Sequence, residues 1–309
     1  MNEITLTIDG IEVKLPKGST VLDAAKLAGV DIPTLCYMEG HKPIGACRVC
    51  LVEIEGGRAL QASCATPAAD GMVVKTNTKR VQAARRTVVE LLLSAHNQEC
   101  TTCNRNLNCE LQAISKRLGI SENRFMGEMP EALVDTSSPS VVRDSSKCIL
   151  CRRCVTRCAE TQSVGALFPV DRGFETVIAP SARKDLAEVA CVACGQCITV
   201  CPVGALKEKD HTERVWEALN DPSKYVIVQT APAVRAALGE EFGLPPGSLV
   251  TKKMVTGLKR LGFDKVFDTN FTADLTIMEE GNEFLKRLTT GGTLPMLTSC
   301  SPGWIRYIE

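Results

Sequence analysis

The chain has 309 residues, 36 basic and 36 acidic, and 16 of its residues are cysteines. The balanced charge gives no footing for a nucleic-acid partner, no apolar run approaches the ~18 residues of a membrane span, and the opening Met1-Asn2-Glu3-Ile4-Thr5 lacks the basic end and apolar core of a signal peptide. Length predicts two or three domains, and cysteines bunched at two- and three-residue gaps exclude a small disulfide scaffold, so metal in a reducing compartment, the cytoplasm, is expected.

Residues 3–9 and 11–15 alternate apolar and polar about Gly10, which predicts a β-hairpin. Ser19-Thr20 can cap a helix through Val21 to Leu27, stopped by Gly29. Then come Cys36, Cys47, Cys50 and Cys64, spaced C-x10-C-x2-C-x13-C. Plant-type [2Fe–2S] ferredoxins begin C-x4-C-x2-C. The longer first gap resembles instead the ferredoxin-like domain at the front of complex I large subunits and iron hydrogenases. Gly45 and Ala46 suit close backbone approach to sulfide. The competing reading is zinc with a core Cys64, and His41 in the same loop reads as solvated surface.

Residues 78–95 carry Val81, Ala84, Val88, Leu91, Leu92 and Ala95 near helical spacing and deliver His96. With Cys100, Cys103 and Cys109 it makes H-x3-C-x2-C-x5-C, which taken alone fits zinc equally well. Its place between iron–sulfur modules favours a His-ligated [4Fe–4S] cluster, whose neutral imidazole should raise the potential. A short helix, Leu111 to Leu118, and a polar linker over 121–147 follow.

Cys148, Cys151, Cys154 and Cys158, then Cys191, Cys194, Cys197 and Cys201, form two C-x2-C-x2-C-x3-C runs, the second closed by Pro202. This is the bacterial two-[4Fe–4S] pattern, in which the fourth Cys of each run crosses to the other cluster. One cluster is therefore assigned Cys148, Cys151, Cys154 and Cys201, the other Cys158, Cys191, Cys194 and Cys197. Paired zinc knuckles are the alternative, but tetrahedral zinc needs neither the third x2 step nor C-x3-C-P. Between the runs, 164–178 reads as a small hairpin, and Arg152, Arg153 and Arg157 read as a solvated face.

Beyond about residue 213 the composition changes. Residues 225–230 predict a strand buried on both faces, Pro232 to Gly243 and Val250 to Leu261 helices, 266–268 a second strand, Thr272 to Leu288 a long helix and 294–300 a third strand. That alternation means a parallel α/β sheet, with ligands expected beyond its carboxyl ends, at Cys300 and at Gln229-Thr230-Ala231-Pro232.

Thr298-Ser299-Cys300-Ser301-Pro302-Gly303-Trp304 resembles the first signature of [FeFe]-hydrogenases, usually T-S-C-C-P-x-W, and 231–235 and 273–280 are similar to that family's catalytic domain. The resemblance implies a multi-domain α+β and α/β chain. It would run as a β-grasp-like [2Fe–2S] domain (1–78), a His-ligated [4Fe–4S] domain (79–120), the linker (121–147), a two-[4Fe–4S] ferredoxin domain (148–210) and the start of an H-cluster domain (211–309), incomplete for catalysis. It implies reversible interconversion of protons and H2, with an H-cluster only if the rest of that domain is present. By register Cys300 is the proton relay and Ser301 the cluster-ligand position; whether Cys300 takes over ligation stays open. Glu280 and Glu283, on one helix face, would continue the proton path; otherwise they are solvated helix acids. The Cys-Ser variant resembles subunits of NAD(P)-linked multimeric hydrogenases, with electron bifurcation a further option. That implies a flavin- and Fe–S-bearing NADH-dehydrogenase-like partner, a small thioredoxin-like [2Fe–2S] partner, or ferredoxin. The alternative is an electron-transfer subunit of a complex I-like or formate dehydrogenase complex, without an active site.

Overall fold

In the computed structural model, residues 3–308 are described, and they form two units: 3–209 together with 302–308, and 210–301. Among these residues no helix is long and apolar enough to cross a membrane.

The first unit opens on the predicted hairpin, β1 (Glu3–Ile8) and β2 (Ile11–Pro16), antiparallel with Ile8 opposite Ile11. Asp9 and Gly10 both take positive φ (47° and 87°), as a tight two-residue hairpin turn requires. Ile4, Leu6 and Ile8 point inward along one face, with Val13 and Leu15 beside them. Helix α1 (Val21–Leu27) lays Val21, Leu22, Ala24 and Ala25 on this sheet. Thr20 and Asp23 form a reciprocal capping box at its start. Strands β3 (Leu51–Ile54), β4 (Gln61–Ala62) and β5 (Val73–Lys75) complete a five-stranded sheet of order β2-β1-β5-β3-β4, with β5 parallel to β1.

Helix α2 (Lys79–Ser94) is capped by Thr78 and packs beside β3 and α3 (Glu110–Arg117). Its Glu90 has no exposed side-chain surface and sits between Arg86 and Arg124, whose guanidinium holds the carboxyl below the usual range. The stretch 121–147, expected to be a linker, is folded from Val134 onward. Strands β6 (Val134–Asp135) and β7 (Val141–Asp144) join β10 (Leu206–Glu208) in a sheet of order β10-β7-β6. Asp135, Ser138 and Arg143 of this stretch are buried, while Thr136 and Ser137 stay exposed. Asp135 is buried and accepts from the Ser137 and Leu186 amides.

The predicted hairpin between the cysteine runs is β8 (Phe168–Val170) paired with β9 (Val177–Ala179). Short helices α4 (Arg153–Thr156), continued by a π turn over Arg157–Thr161, and α5 (Gln196–Thr199) each carry the third Cys of their run, Cys154 and Cys197.

The second unit contains α6 (Thr212–Leu219), β11 (Ile227–Thr230), α7 (Pro232–Glu241), α8 (Thr251–Leu261), β12 (Lys265–Asp268) and α9 (Thr269–Thr290); α10 (Pro302–Ile308) belongs to the first. β11 and β12 are parallel, as the strand–helix alternation predicts. Two expectations fail here. Strand β11 is not buried on both faces, for Ile227 is 56% exposed. The segment 294–300 is not a strand: no backbone ladder receives it among the described residues, and Pro295 offers no N–H to one. Cys300 therefore stands on an irregular, exposed segment rather than at a strand's carboxyl end.

Thr20→Ala removes half of the capping box and should cost about 1 kcal/mol. Hydrogen exchange of the α1 amides should lose roughly fivefold protection, with the amides of β8 and β9 unchanged.

Candidate metal centres

In the first module the chain turns sharply around sulfur. Gly45 and Arg48 both take positive φ. Cys36, Cys47, Cys50 and Cys64 are all buried, and their thiols converge, with Cys64 against both Cys36 and Cys50. Cys50 Sγ lies 3.4 Å from Cys64 Sγ, and Cys36 is hydrogen-bonded by Cys47. Two thiolates on one tetrahedral metal at ~2.3 Å would lie about 3.7 Å apart, so the Cys50–Cys64 pair can share an ion. Donated S–H bonds from Cys47 and Cys64 hold the Cys36 thiol far below its ordinary value. Those two donors are pushed up by the same bonds and by burial. Four thiols in contact share protons that a metal would displace.

The second set is only partly assembled. His96 arrives at the end of α2, nearly buried, and its Nδ1 has no hydrogen-bond partner. Burial pushes the imidazole pKa down, which keeps it neutral and able to ligate. His96 lines one cavity with Cys100 and Cys109. The Leu111 and Gln112 amides at the start of α3 point at the Cys109 sulfur. Cys103 does not line that cavity. Its Sγ lies against Gly204, where an added Cβ would fall 2.5 Å from it.

The third and fourth sets show the crossing most directly. One apolar cavity is lined by Cys148, Cys151, Cys154 and Cys201. Another is lined by Cys158, Cys191, Cys194 and Cys197. The backbone that shapes them repeats. Leu150 and Arg152 in the first run, and Ala193 and Gly195 in the second, all have positive φ. This conformation turns amides inward: Leu150 N–H donates to Cys148 Sγ at 3.4 Å, and Ala166 N–H to Cys158 Sγ at 3.3 Å. N–H···S bonds offset negative charge on a cluster. As free thiols these groups are hard to ionise. Burial pushes Cys148 up to about 11 and both Cys151 and Cys197 up to about 12. Among the described residues no three donors converge on one metal-ion position. A polynuclear cluster asks for something different, one or two thiolates per iron around a shared cavity.

Of the three arginines expected on a solvated face, Arg152 is exposed, whereas Arg153 and Arg157 are not. Arg153 is buried and paired in fork geometry with Glu110, at 2.6 and 2.9 Å, joining α4 to the helix that begins at Cys109. Arg105 donates to the Cys201 carbonyl at 2.6 Å, and Glu110 N–H donates to the Pro202 carbonyl. Arg157 Nε is buried. His41 is likewise no free surface residue: its Nδ1 is 3.2 Å from Glu160. Spacing rules name ligands, so they passed over Gly204, Glu110 and Arg105, which join the second cysteine set to the third. The only signal was composition: a small residue and charges beside Cys.

In the second unit, Cys300 is exposed and Ser301 N–H donates to Ser299 Oγ at 3.0 Å. Glu280 is half-buried and accepts from Thr298 Oγ1 at 3.1 Å, two residues before Cys300. Glu283 is not a buried acid. It is exposed and paired with Arg287 one turn on at 2.7 Å, which holds its carboxyl below the usual range. At the carboxyl ends of the strands, Arg235 pairs with Asp268, and Thr269 Oγ1 donates to the Thr230 carbonyl.

Residues 1–79 match a 2Fe-2S iron-sulfur cluster binding domain, 85–124 the NADH-ubiquinone oxidoreductase-G iron-sulfur binding region, 147–205 a 4Fe-4S dicluster domain and 224–309 the iron only hydrogenase large subunit, C-terminal domain. The NADP-reducing hydrogenase subunit HndD of Solidesulfovibrio fructosivorans is 54% identical over all of this chain and 55% of its own length. Iron hydrogenase 1 of Clostridium pasteurianum is 40% identical over 99% of this chain and 53% of its own. The chain thus spans about half the length of these relatives. A crystal structure of an NAD+-reducing [NiFe]-hydrogenase in the H2-reduced state is similar at 35% identity and TM-score 0.63, over 67% of this chain and 87% of that one. The domain matches indicate [2Fe–2S] and [4Fe–4S] clusters, and the thiol pairs and cysteine-lined cavities suit them. The chain is therefore ferredoxin-type domains followed by the start of a hydrogenase domain.

Glu110→Gln strands the Arg153 charge. Breaking a fully buried pair costs ~3–5 kcal/mol, and Glu110's partial exposure reduces this to about 2 kcal/mol. Exchange protection of the α3 amides should fall roughly thirtyfold while that of α1 is kept.

Proposed function

Because the chain belongs to the iron-only hydrogenase large-subunit family in its long, multi-cluster form, we propose that it carries electrons through four iron–sulfur clusters, to and from a centre that reversibly interconverts protons and H2. The observation that carries this is the pair of apolar cavities, each lined by three cysteines of one run and one of the other. Cys148, Cys151, Cys154 and Cys201 hold one [4Fe–4S] cluster in this reading, and Cys158, Cys191, Cys194 and Cys197 the next. Cys36 and Cys47 take one iron of a [2Fe–2S] cluster, and Cys50 and Cys64 the other. His96 with Cys100, Cys103 and Cys109 holds a third [4Fe–4S] cluster; the unpartnered Nδ1 supports the imidazole, and Cys103 must turn from Gly204 to complete the set.

These clusters supply one-electron steps when bound. The chain's own part is to set spacing, dryness and charge. The amides of Leu150 and Ala166 face sulfur, and Arg105, Glu110 and Arg153 hold the His96 module against the loop carrying Cys201.

In the second unit Cys300 is the proton donor and acceptor, and Glu280, reached through Thr298, is the next station. Ser301 occupies the position beside it where the family's usual signature has a second Cys. Glu283 takes part only if its pairing with Arg287 opens. Relatives named as subunits and as NADP- or NAD+-linked support an NAD(P)-linked complex, with a flavin- and Fe–S-bearing NADH-dehydrogenase-like partner, a small thioredoxin-like [2Fe–2S] partner, or ferredoxin. The reducing chemistry of the thiols suits the cytoplasm. A purely electron-carrying subunit is disfavoured by the hydrogenase-domain match over 224–309.

Anaerobically purified protein should contain about fourteen irons in these four clusters, with matching sulfide. Cys201→Ser should alter the same EPR signal as Cys148→Ser, and Cys158→Ser the same signal as Cys191→Ser. A colourless, iron-free protein would defeat the proposal, as would Cys201 and Cys191 acting on one signal.

A further inference from the structure

Arg85 lies on α2 and is 3% exposed. Its Nε and Nη2 both donate to the Leu51 carbonyl, at 3.1 and 2.7 Å. Leu51 follows Cys50 directly and opens β3. A buried guanidinium normally faces a carboxylate, because an unpaired charge in a protein interior is strongly disfavoured. Among the described residues Arg85 has none within ion-pair distance, whereas its neighbour on the helix, Arg86, has Glu90. Arg117, on α3, adds repulsion rather than relief, and is itself paired with Asp31. Burial lowers the Arg85 pKa to about 10, which leaves it a cation at neutral pH.

We propose that Arg85 is the fixed counter-charge of the Cys36/Cys47/Cys50/Cys64 centre. Anchored on the Leu51 carbonyl in the dry seam between α2 and β3, it stabilises the added electron when that centre is reduced. The inference rests on the [2Fe–2S] reading given above. Four thiolates, two sulfides and two ferric ions carry a net charge of 2−, and one-electron reduction makes it 3−. The electron is supplied by a one-electron donor, in the titration below the chemical reductant, and no proton need accompany it, so a nearby fixed cation acts directly on the equilibrium. Arg85 is a positioning residue for charge: it touches the strand that carries the centre rather than the metal.

The test is an EPR-monitored redox titration of the [2Fe–2S] signal in the intact, cluster-loaded protein, comparing wild type with Arg85→Gln and Arg85→Lys. Gln removes the charge and keeps a hydrogen-bond donor; Lys keeps a charge and loses the two-pronged contact. The expected result is a tenfold or larger loss of electron affinity in Arg85→Gln, a fall of at least 59 mV for a one-electron couple. Arg85→Lys should stay nearer to wild type, and the [4Fe–4S] signals should not move in either. Loss of the [2Fe–2S] signal in Arg85→Gln with retention in Arg85→Lys supports the same role. Equal shifts in both variants, loss of the cluster in both, or an unchanged potential in Arg85→Gln overturn it and make the residue a packing element. Failure of the underlying reading looks different: wild type itself would then show no [2Fe–2S] signal.

Discussion

Sulfur buried against apolar side chains is the constraint on which the first unit depends. Cys50 and Cys64 belong to the same core as Leu6, Ile8 and Val52. Cys36, Cys47, Cys151, Cys154 and Cys201 belong to a second core with Leu111, Leu167 and Val203. Small modules of this kind have little apolar surface to bury, and a metal centre commonly supplies what such a core lacks. The burial has an electrostatic consequence. Thiols held at about 11 or 12 cannot ionise on their own near neutrality, so the positive charge of bound iron has to do it. Hence the inward amides, and hence a loop geometry with positive φ at Leu150, Arg152 and Ala193, where residues with a Cβ accept strain of about 1–2 kcal/mol each.

Charge is arranged around these centres with two distinct logics. Arg153 and Glu110 neutralise each other and act as a clamp between modules. Arg85 has no carboxylate partner among the described residues and donates to the carbonyl of Leu51, the residue after Cys50. The first kind fixes distance, on which electron transfer depends; the second kind bears on potential. A π turn immediately after α4 and the His41–Glu160 contact join the first cysteine loop to the chain after Cys158, so the modules of this unit share contacts and are not beads on a string.

The second unit is built differently. Its two parallel strands and their helices leave Ile227, Phe242, Leu249 and Ile277 exposed. A cleft of about 760 Å³ opens beside Thr230 and Ala231, lined mainly by apolar side chains of α7 and α8. Strand and helix periodicity are present, while the burial that such periodicity usually reports is not. The polar contacts at the strand ends, Arg235 with Asp268 and Thr269 with Thr230, are nevertheless in place.

The sequence by itself determined which residues carry the chemistry. Fifteen cysteines and His96 at fixed gaps named the cluster types, the alternating hairpin named the first fold, and the T-S-C-S-P-G-W run named the family. These are local signals, set by ligand count and by the two- and 3.6-residue periods of the backbone. Only the tertiary structure decided that Cys103 turns toward Gly204, and that Arg85 and Arg153 are interior charges. It also decided that the polar stretch from Val134 to Asp144 is sheet, and that residues 294–300 are not. Pairing in space, burial and strand partnership all depend on residues far apart in the chain. A window of ten residues reads the same whether its neighbour across the fold is a sulfur, a carboxylate or water.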